Sequence, residues 1–164
     1  MPLPVPRVIE LRRTSPADVP MLYDLELDPV ANERAGTKPR DWATFEARWA
    51  EILGDVDGTR TRVTPRAILA DAVVVGAVNI SPHEGADSIG YWIAREHWGR
   101  GIATRAVALM LGEFRSRPLM ATTAGHNLAS LRVLVKNGFG IVSRRWTDQN
   151  ARCVARETVT LVLR

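Results

Sequence analysis

The fold is decided by the stretch Ile89-Gly90-Tyr91-Trp92-Ile93-Ala94-Arg95-Glu96-His97-Trp98-Gly99-Arg100-Gly101-Ile102-Ala103-Thr104. Its first part alternates as a strand does, and apolar residues from Ala103 to Phe114 recur at helical spacing. Gly99 and Gly101 permit a tight turn between the two elements. The free N–H groups and the positive dipole end at the start of the helix attract an anion. This junction therefore predicts a pyrophosphate site.

Two common phosphate-binding motifs do not fit this turn. A P-loop needs Lys followed by Ser or Thr after its last glycine, but Ile102-Ala103 follow Gly101. A dinucleotide fingerprint needs a third small residue at position 104, which is Thr104, and a preceding βαβ unit. A second interpretation stays open, in which Gly99 and Gly101 only build a tight strand-to-helix connection.

Outward from this turn, the apolar pattern predicts seven strands and four helices. The predicted strands cover residues 7–13, 67–70, 73–80, 88–94, 119–123, 139–146 and 157–163. The predicted helices cover residues 15–27, 42–54, 103–114 and 127–138. Polar loops are expected at 29–41, 81–87 and 147–152. This order predicts a mixed sheet with helices on its faces.

Composition predicts one domain over residues 1–164, with an extended, proline-rich tail at 1–6. The chain has 46% hydrophobic and 24% charged residues, as a globular domain does. Its net charge of +4 is too small to indicate a nucleic-acid-binding protein. The chain has a single cysteine, Cys153, which excludes an internal disulfide framework and a cysteine-based zinc cluster. No apolar run approaches the roughly 18 residues of a membrane span, and the start lacks a secretion signal. A cytoplasmic location is expected, without a membrane partner.

Three segments carry a resemblance to a known family. The first is 89–93 followed by 98–104; the second is Asn127-x-x-Ser130 followed by Lys136-Asn137-Gly138-Phe139; the third runs from Leu11-Arg12 to Leu27-Asp28-Pro29. Together they resemble the GCN5-related N-acetyltransferases (GNAT), in the branch of bacterial enzymes that acetylate ribosomal-protein N-termini. The likeness covers nearly the whole chain. It implies an α+β fold of the acyl-CoA acyltransferase type, with a mostly antiparallel sheet of six to seven strands and about four helices.

The resemblance implies acetyl-CoA as the acetyl donor, and no metal ion. Its pantetheine arm would lie in a cleft where the strand ending at Ala94 splays away from strand 119–123, and a bulge in the first strand would aim an N–H at the thioester oxygen. The implied cofactor-binding residues are Trp92, Ile93, Ala94, Gly99, Arg100, Gly101, Ile102, Ala103, Thr104 and Asn127.

The implied reaction is direct transfer of acetyl from the thioester to an amine. In many family members a tyrosine that serves as the general acid stands at the position of Leu134. The branch resembled here has instead the serine of its signature, which is Ser130 in this sequence. Ser130 is the catalytic candidate, with a role as a helix cap as the alternative. Asn127 likewise combines a cap with a cofactor contact. The general base is left open between water and three carboxylates near the splayed strand, Glu84, Asp87 and Glu96.

The sequence therefore predicts an N-acetyltransferase for a primary amine, such as a protein N-terminal α-amine. The alternatives are an enzyme for small amines or antibiotics and a catalytically inactive acetyl-CoA-binding module, which the leucine at position 134 keeps open. A nucleic-acid binder has no motif behind it. The amine would be selected by the loops at 29–41, 81–87 and 147–152. Whether the chain forms a homodimer stays open.

Overall fold

The structure is a computed structural model that describes residues 3–164, in which seven strands and five α-helices form. The strands are β1 Ile9–Arg13, β2 Thr64–Ala70, β3 Val73–His83, β4 Ala86–Ile93, β5 Leu119–Ala124, β6 Gly140–Thr147 and β7 Arg156–Leu163. The helices are α1 Val19–Leu27, α2 Pro29–Ala35, α3 Trp42–Gly54, α4 Ile102–Glu113 and α5 Leu128–Lys136. The predicted tail at 1–6 lies partly outside the described residues, and residues 3–6 form no helix or strand.

All seven strands join one sheet in the order β1-β2-β3-β4-β5-β7-β6. Neighbouring strands are antiparallel except for β4 and β5, which are parallel. The predicted α+β fold with a mostly antiparallel sheet is therefore confirmed. Among residues 3–164, no helix combines the length and the apolar composition that a membrane crossing requires.

The helices cover both faces of the sheet because successive strand residues point to opposite sides. On β3, Val78 belongs to the larger core, which α4 and α5 complete with residues such as Met110 and Leu134. The adjacent Ala77 belongs to a second core on the other face, formed with α1 and α3 around Phe45. The sheet is thus a middle layer, with α4 and α5 on one side and α1 and α3 on the other.

Helix α2 is the main departure from the sequence-based prediction, which placed a polar loop at 29–41. The Asp28 carboxylate accepts hydrogen bonds from the N–H groups of Val30 (2.9 Å) and Ala31 (3.1 Å), and Pro29 occupies the first turn. Gly36 ends the helix in the left-handed conformation, with φ of 64°. The pair Asp28-Pro29 predicted the end of α1, and it also begins α2. Asp is a favoured N-cap residue, and Pro is favoured at the first helical position.

Two tight turns shape the hairpins beside β3. The loop predicted at 81–87 is wrong, because β3 and β4 continue to a turn at Glu84 (φ 48°) and Gly85 (φ 83°). The turn before β3 has Asp71 (φ 49°) and Ala72 (φ 68°) in the same left-handed region without a glycine. Positive φ at both central positions matches the twist of a two-residue hairpin.

The parallel pair β4 and β5 separates soon after it begins. The two strands form only two residue pairs, Asp87 with Leu119 and Ser88 with Met120. Beyond Ser88 they are not paired. The opposite edge of β4 stays in unbroken register with β3, from His83–Ala86 to Gly76–Ile93. The bulge implied for β4 is therefore absent over this range, and the cleft comes from divergence of two regular strands.

Candidate active site

The gap between β4 and β5 forms a cleft of about 720 Å³. Its walls come from β4, the glycine turn, the first turn of α4, β5, α5, α2 and the start of β7. Its lining includes Ser130 and every predicted cofactor-binding residue except Ala94. The predicted residues on its walls are Trp92, Ile93, Gly99, Arg100, Gly101, Ile102, Ala103, Thr104, Asn127 and Ser130.

The cleft has walls on both faces of the sheet. The Trp92 indole Nε1 donates to the Leu25 carbonyl on α1 (3.0 Å), and the Tyr91 hydroxyl lies 2.8 Å from Ser130 Oγ on α5. These consecutive strand residues point in opposite directions. The gap therefore lies between the α1 and α2 side and the α4 and α5 side, with lining residues from both.

The free edge of β4 offers backbone groups to the cleft. The Ala94 N–H donates to the Val75 carbonyl (2.8 Å), and the Ala94 carbonyl accepts from the His97 N–H (2.9 Å). Because backbone direction alternates along an antiparallel strand, the N–H groups of Ile93 and Tyr91 point away from β3. Ala94 is 3% exposed and does not reach the cleft, since its backbone is engaged in the sheet and the following turn.

The glycine turn lines the cleft beside backbone donors that have no partner within α4. Gly99 and Gly101 have φ of 72° and 74°, and Gly101 caps α4 without a side chain. The first intrahelical bond runs from Arg105 N–H to Gly101 carbonyl (3.1 Å), so the N–H groups of residues 102–104 have no acceptor within the helix. This geometry suits an anion.

The charged side chains that line the cleft are all basic. Arginine and lysine side chains line it from α2, the glycine turn, α5 and β7, and no Asp or Glu is among its lining residues. These basic residues are Arg34, Arg100, Arg132, Lys136 and Arg156. Such a lining attracts a polyanion and repels cations.

The alternative role of Ser130 as the cap of α5 is wrong, because Asn127 is the N-cap. The Ser130 backbone N–H donates to Oδ1 of Asn127 (3.2 Å), and the Ser130 side chain lines the cleft. The cap therefore uses the Ser130 backbone and leaves its hydroxyl for Tyr91 and the cleft. Leu134, one turn further along α5, is 1% exposed.

Tyr91 is the residue that the sequence-based prediction missed. Its hydroxyl contacts Ser130 Oγ at 2.8 Å and the Ser130 carbonyl at 3.4 Å. Burial raises the pKa of the Tyr91 phenol, and the Ser130 hydrogen bond opposes this only in part. Ile89, Tyr91 and Ile93 stand at alternate positions of the strand and so share one face. This pattern was the only sequence signal that could have indicated that Tyr91 points toward the core side. The partner of Tyr91 on α5 is visible only in the tertiary structure.

None of the carboxylates that were candidates for the base lines the cleft. Glu84 lies in the β3–β4 turn, 3.9 Å from Arg145, and Asp87 pairs with Arg62 at 3.4 Å. Glu96 lies in the short 3₁₀ turn that follows β4. The structure therefore does not bring a candidate base beside Ser130.

Two of the loops expected to select the amine are joined. A bridge links Thr37 to Cys153, and the Lys38 N–H donates to the Arg152 carbonyl (2.8 Å). Beneath them, the buried Glu26 carboxylate accepts from Arg40 (2.6 and 2.8 Å) and Arg152 (3.0 Å). The connection after α2 and the β6–β7 loop are thus joined, but of the two only the connection after α2 lines the cleft, through Thr37. The third segment, the β3–β4 turn, does not line the cleft.

An open sheet that splays beside a glycine turn places this chain in the class of acyl-CoA acyltransferase folds. Residues 9–140 match the family model described as an acetyltransferase (GNAT) domain. The chain belongs to this family. The predicted family and enzyme class, an acetyl-CoA-dependent N-acetyltransferase, are thereby confirmed. No curated protein is significantly similar to the chain in sequence.

Solved structures with the same fold include three acetyltransferases. Mycobacterium smegmatis RimJ in complex with CoA-disulfide is 22% identical, with 94% of this chain and 81% of that chain covered and a TM-score of 0.71. A Salmonella typhimurium acetyl transferase that modifies the N-terminal serine of ribosomal protein L7/L12 is 18% identical, with coverage of 98% and 96% and a TM-score of 0.72. Spermidine N-acetyltransferase from Vibrio cholerae, in complex with CoA and spermine, is 14% identical, with coverage of 94% and 95% and a TM-score of 0.75.

Proposed function

We propose that this chain transfers the acetyl group of acetyl-CoA to the α-amine of a peptide or protein N-terminus. The observation that carries this proposal is the cleft between β4 and β5. It combines a helix start with free N–H groups, a serine hydroxyl and five basic side chains without a carboxylate. A thioester donor with several phosphates and an uncharged amine are the reactants that such a lining favours.

The glycine turn is the proposed site of the pyrophosphate. Gly99, Arg100 and Gly101, with the N–H groups of residues 102–104, would surround the phosphate oxygens. The N–H groups of Ile93 and Tyr91 would pair with the amides of the pantetheine arm, as an added strand pairs with a sheet edge. Trp92 and Asn127 complete the proposed contacts. Bound acetyl-CoA supplies an acetyl group that is activated toward amines.

Ser130 is the proposed proton donor. In the reaction, the amine nitrogen forms a bond to the acetyl carbon, the carbon–sulfur bond breaks and its electron pair leaves with sulfur. The nitrogen loses one proton to water. The sulfur gains one through the Ser130 hydroxyl, which water then re-protonates, so the products are an amide and a thiol. General acid catalysis of this kind contributes about 10²- to 10⁴-fold.

The charge of the cleft favours an α-amine over other acceptors. An α-amine has a pKa of about 8, against about 10.4 for a lysine side chain, so a larger fraction of the α-amine is uncharged at neutral pH. Arg34 and Arg156 line the cleft beside α2 and repel a polycation such as spermidine. With no carboxylate on the lining, water is the proposed proton acceptor for the amine.

Calorimetric titration with acetyl-CoA tests the first part of the proposal. Micromolar binding is expected, and no binding would overturn it. Mass spectrometry then follows acetyl transfer to a peptide with an N-terminal serine. The matched control is the same peptide with a blocked N-terminus and an internal lysine. Transfer to the free α-amine alone is expected. Binding without transfer to peptides, polyamines or aminoglycosides would instead identify a catalytically inactive acetyl-CoA-binding module.

A further inference from the structure

The hydroxyl groups of Tyr91 and Ser130 meet across the cleft, at 2.8 Å between Tyr91 Oη and Ser130 Oγ. They come from different elements, β4 and α5, and both residues line the cleft. The ring of Tyr91 packs against the larger core, a task that phenylalanine would perform equally well. The hydroxyl is therefore the part of Tyr91 that needs a further explanation.

The direction of this hydrogen bond follows from the chemistry of the two groups. A phenol is a stronger donor than an aliphatic hydroxyl because it is more acidic. Burial raises the pKa of Tyr91, so its proton stays on the oxygen at neutral pH. We therefore infer that Tyr91 donates and Ser130 Oγ accepts, since Oγ (2.8 Å) is nearer to the phenol than the Ser130 carbonyl (3.4 Å), the other acceptor within reach.

A donated hydrogen bond at Ser130 Oγ has two consequences for the Ser130 proton. The Ser130 O–H cannot point at Tyr91, since that direction is occupied, and is left to face the cleft. The bond also stabilises the negative charge that grows on Oγ as the proton moves to an acceptor in the cleft. Both effects make Ser130 a better proton donor without requiring Tyr91 to touch a ligand.

We propose that Tyr91 is a positioning residue that orients and polarises Ser130 for proton donation to the departing sulfur. This rests on the proposed function, in which Ser130 is the proton donor. The Tyr91 proton is retained throughout, so the atoms of the acetyl transfer balance as written above.

The variant Tyr91→Phe removes the hydroxyl and keeps the ring. We expect kcat for the N-terminal serine peptide to fall about tenfold, the value of one net hydrogen bond, with KM for acetyl-CoA changed less than about twofold. Tyr23→Phe is the matched control, because the Tyr23 hydroxyl donates to the Arg40 carbonyl (3.1 Å) and Tyr23 does not line the cleft. This control should leave kcat unchanged.

A double-mutant cycle separates positioning from packing. In a Ser130→Ala background, Tyr91→Phe should have no further effect on kcat, because the oriented group is gone. An undiminished tenfold loss in that background would overturn the proposal, and so would an unchanged kcat in the single variant.

A second readout needs no acceptor amine. The ultraviolet absorbance of the thiolate reports ionisation of the CoA thiol in its complex with the protein. The pKa of the bound thiol should rise by about half a pH unit in Tyr91→Phe and in Ser130→Ala, because each loses an oriented donor to the thiolate. An unchanged thiol pKa in both variants would overturn the proposal. Absence of CoA binding by the wild-type chain would instead overturn the proposed function itself, which the calorimetric titration detects separately.

Discussion

The guanidinium of Arg34 lies over the ring of Trp98, 4.3 Å from its centroid. This cation–π contact joins α2 to the residue before the first glycine of the turn. A second link is the ion pair between Asp28, the N-cap of α2, and Arg95 (3.0 Å). The glycine turn is therefore held from both sides, by α4 in its own layer and by α2 from the opposite face of the sheet.

This arrangement explains why the cleft is basic on its α2 side. Arg34 stacks on an aromatic ring and keeps its charge at the cleft. Arg156 donates to the carbonyls of Ala35 and Gly36 and so binds β7 to the end of α2. Arg34 and Arg156 thus connect elements of the fold and also give the α2 side of the cleft its positive charge.

Gly101→Glu should abolish acetyl-CoA binding. A Cβ at Gly101 meets no atom within 4 Å, so the new carboxylate projects into open space at the helix start and repels phosphate. Calorimetry should show a loss of affinity of more than about hundredfold. The matched control is Gly85→Glu, at a φ of +83° with equally open surroundings in the β3–β4 turn. Equal affinities for the two variants would refute the assignment of the turn.

The acceptor preference should depend on charge. At low salt, kcat/KM for an N-terminal serine peptide should exceed that for spermidine by at least about tenfold, because the basic lining repels the polycation. About 0.5 M salt should narrow this gap by screening. Arg34→Gln should also narrow it, whereas Arg48→Gln, which removes an exposed partner of Glu51 on α3, should not. A preference that neither salt nor Arg34→Gln alters would contradict the electrostatic explanation.

Asp18 should make the fold sensitive to acid. Hydrogen bonds from Arg12 (2.7 and 2.8 Å), with one from the Ser15 N–H (2.8 Å), hold the pKa of Asp18 at about 2. Because this lies below the unfolded value of about 3.9, the stabilisation is complete above that value and is lost as the pH falls toward about 2.

Urea unfolding across this pH range tests the role of Asp18. The free energy of unfolding of the wild type should exceed that of Asp18→Asn by about 1–2 kcal/mol at neutral pH, and the difference should shrink as the pH falls through the Asp18 pKa of about 2. Asp24→Asn, at an exposed site on α1, is the control. A difference that persists in acid would show that Asp18 acts by some means other than its charge.

Ala72→Gly should stabilise the protein. Ala72 is exposed and has a φ of 68°, a conformation that costs an L-residue about 1 kcal/mol and glycine almost nothing. Part of this gain is offset by the greater freedom of glycine in the unfolded chain, so about 0.5–1 kcal/mol is expected from thermal unfolding. Ala47→Gly, at an exposed position within α3, should lower stability by a similar amount. A lower melting temperature for Ala72→Gly would contradict the strain at this turn.

The sequence alone predicts the seven strands, four of the five α-helices and the main features of the candidate site, whereas α2 was predicted as a loop. Local patterns sufficed for the alternation of Ile89, Tyr91 and Ile93, the helical spacing that begins at Ala103, and the turn that only Gly99 and Gly101 permit. Asn127 behaves as an N-cap for the same reason, since its partner is the N–H of Ser130, three residues away. These features depend on interactions within one turn or one strand, which is the range that sequence periodicity reports.

Which side chains face one another across the cleft depends on long-range packing. The contact between Tyr91 and Ser130, 39 residues apart, and the approach of Arg34 and Arg156 depend on the splay of β4 from β5 and on the path of α2. The same packing left Ala94 and the carboxylates Glu84, Asp87 and Glu96 outside the cleft. Such placement follows from the burial of apolar faces over the whole sheet, which no local pattern contains.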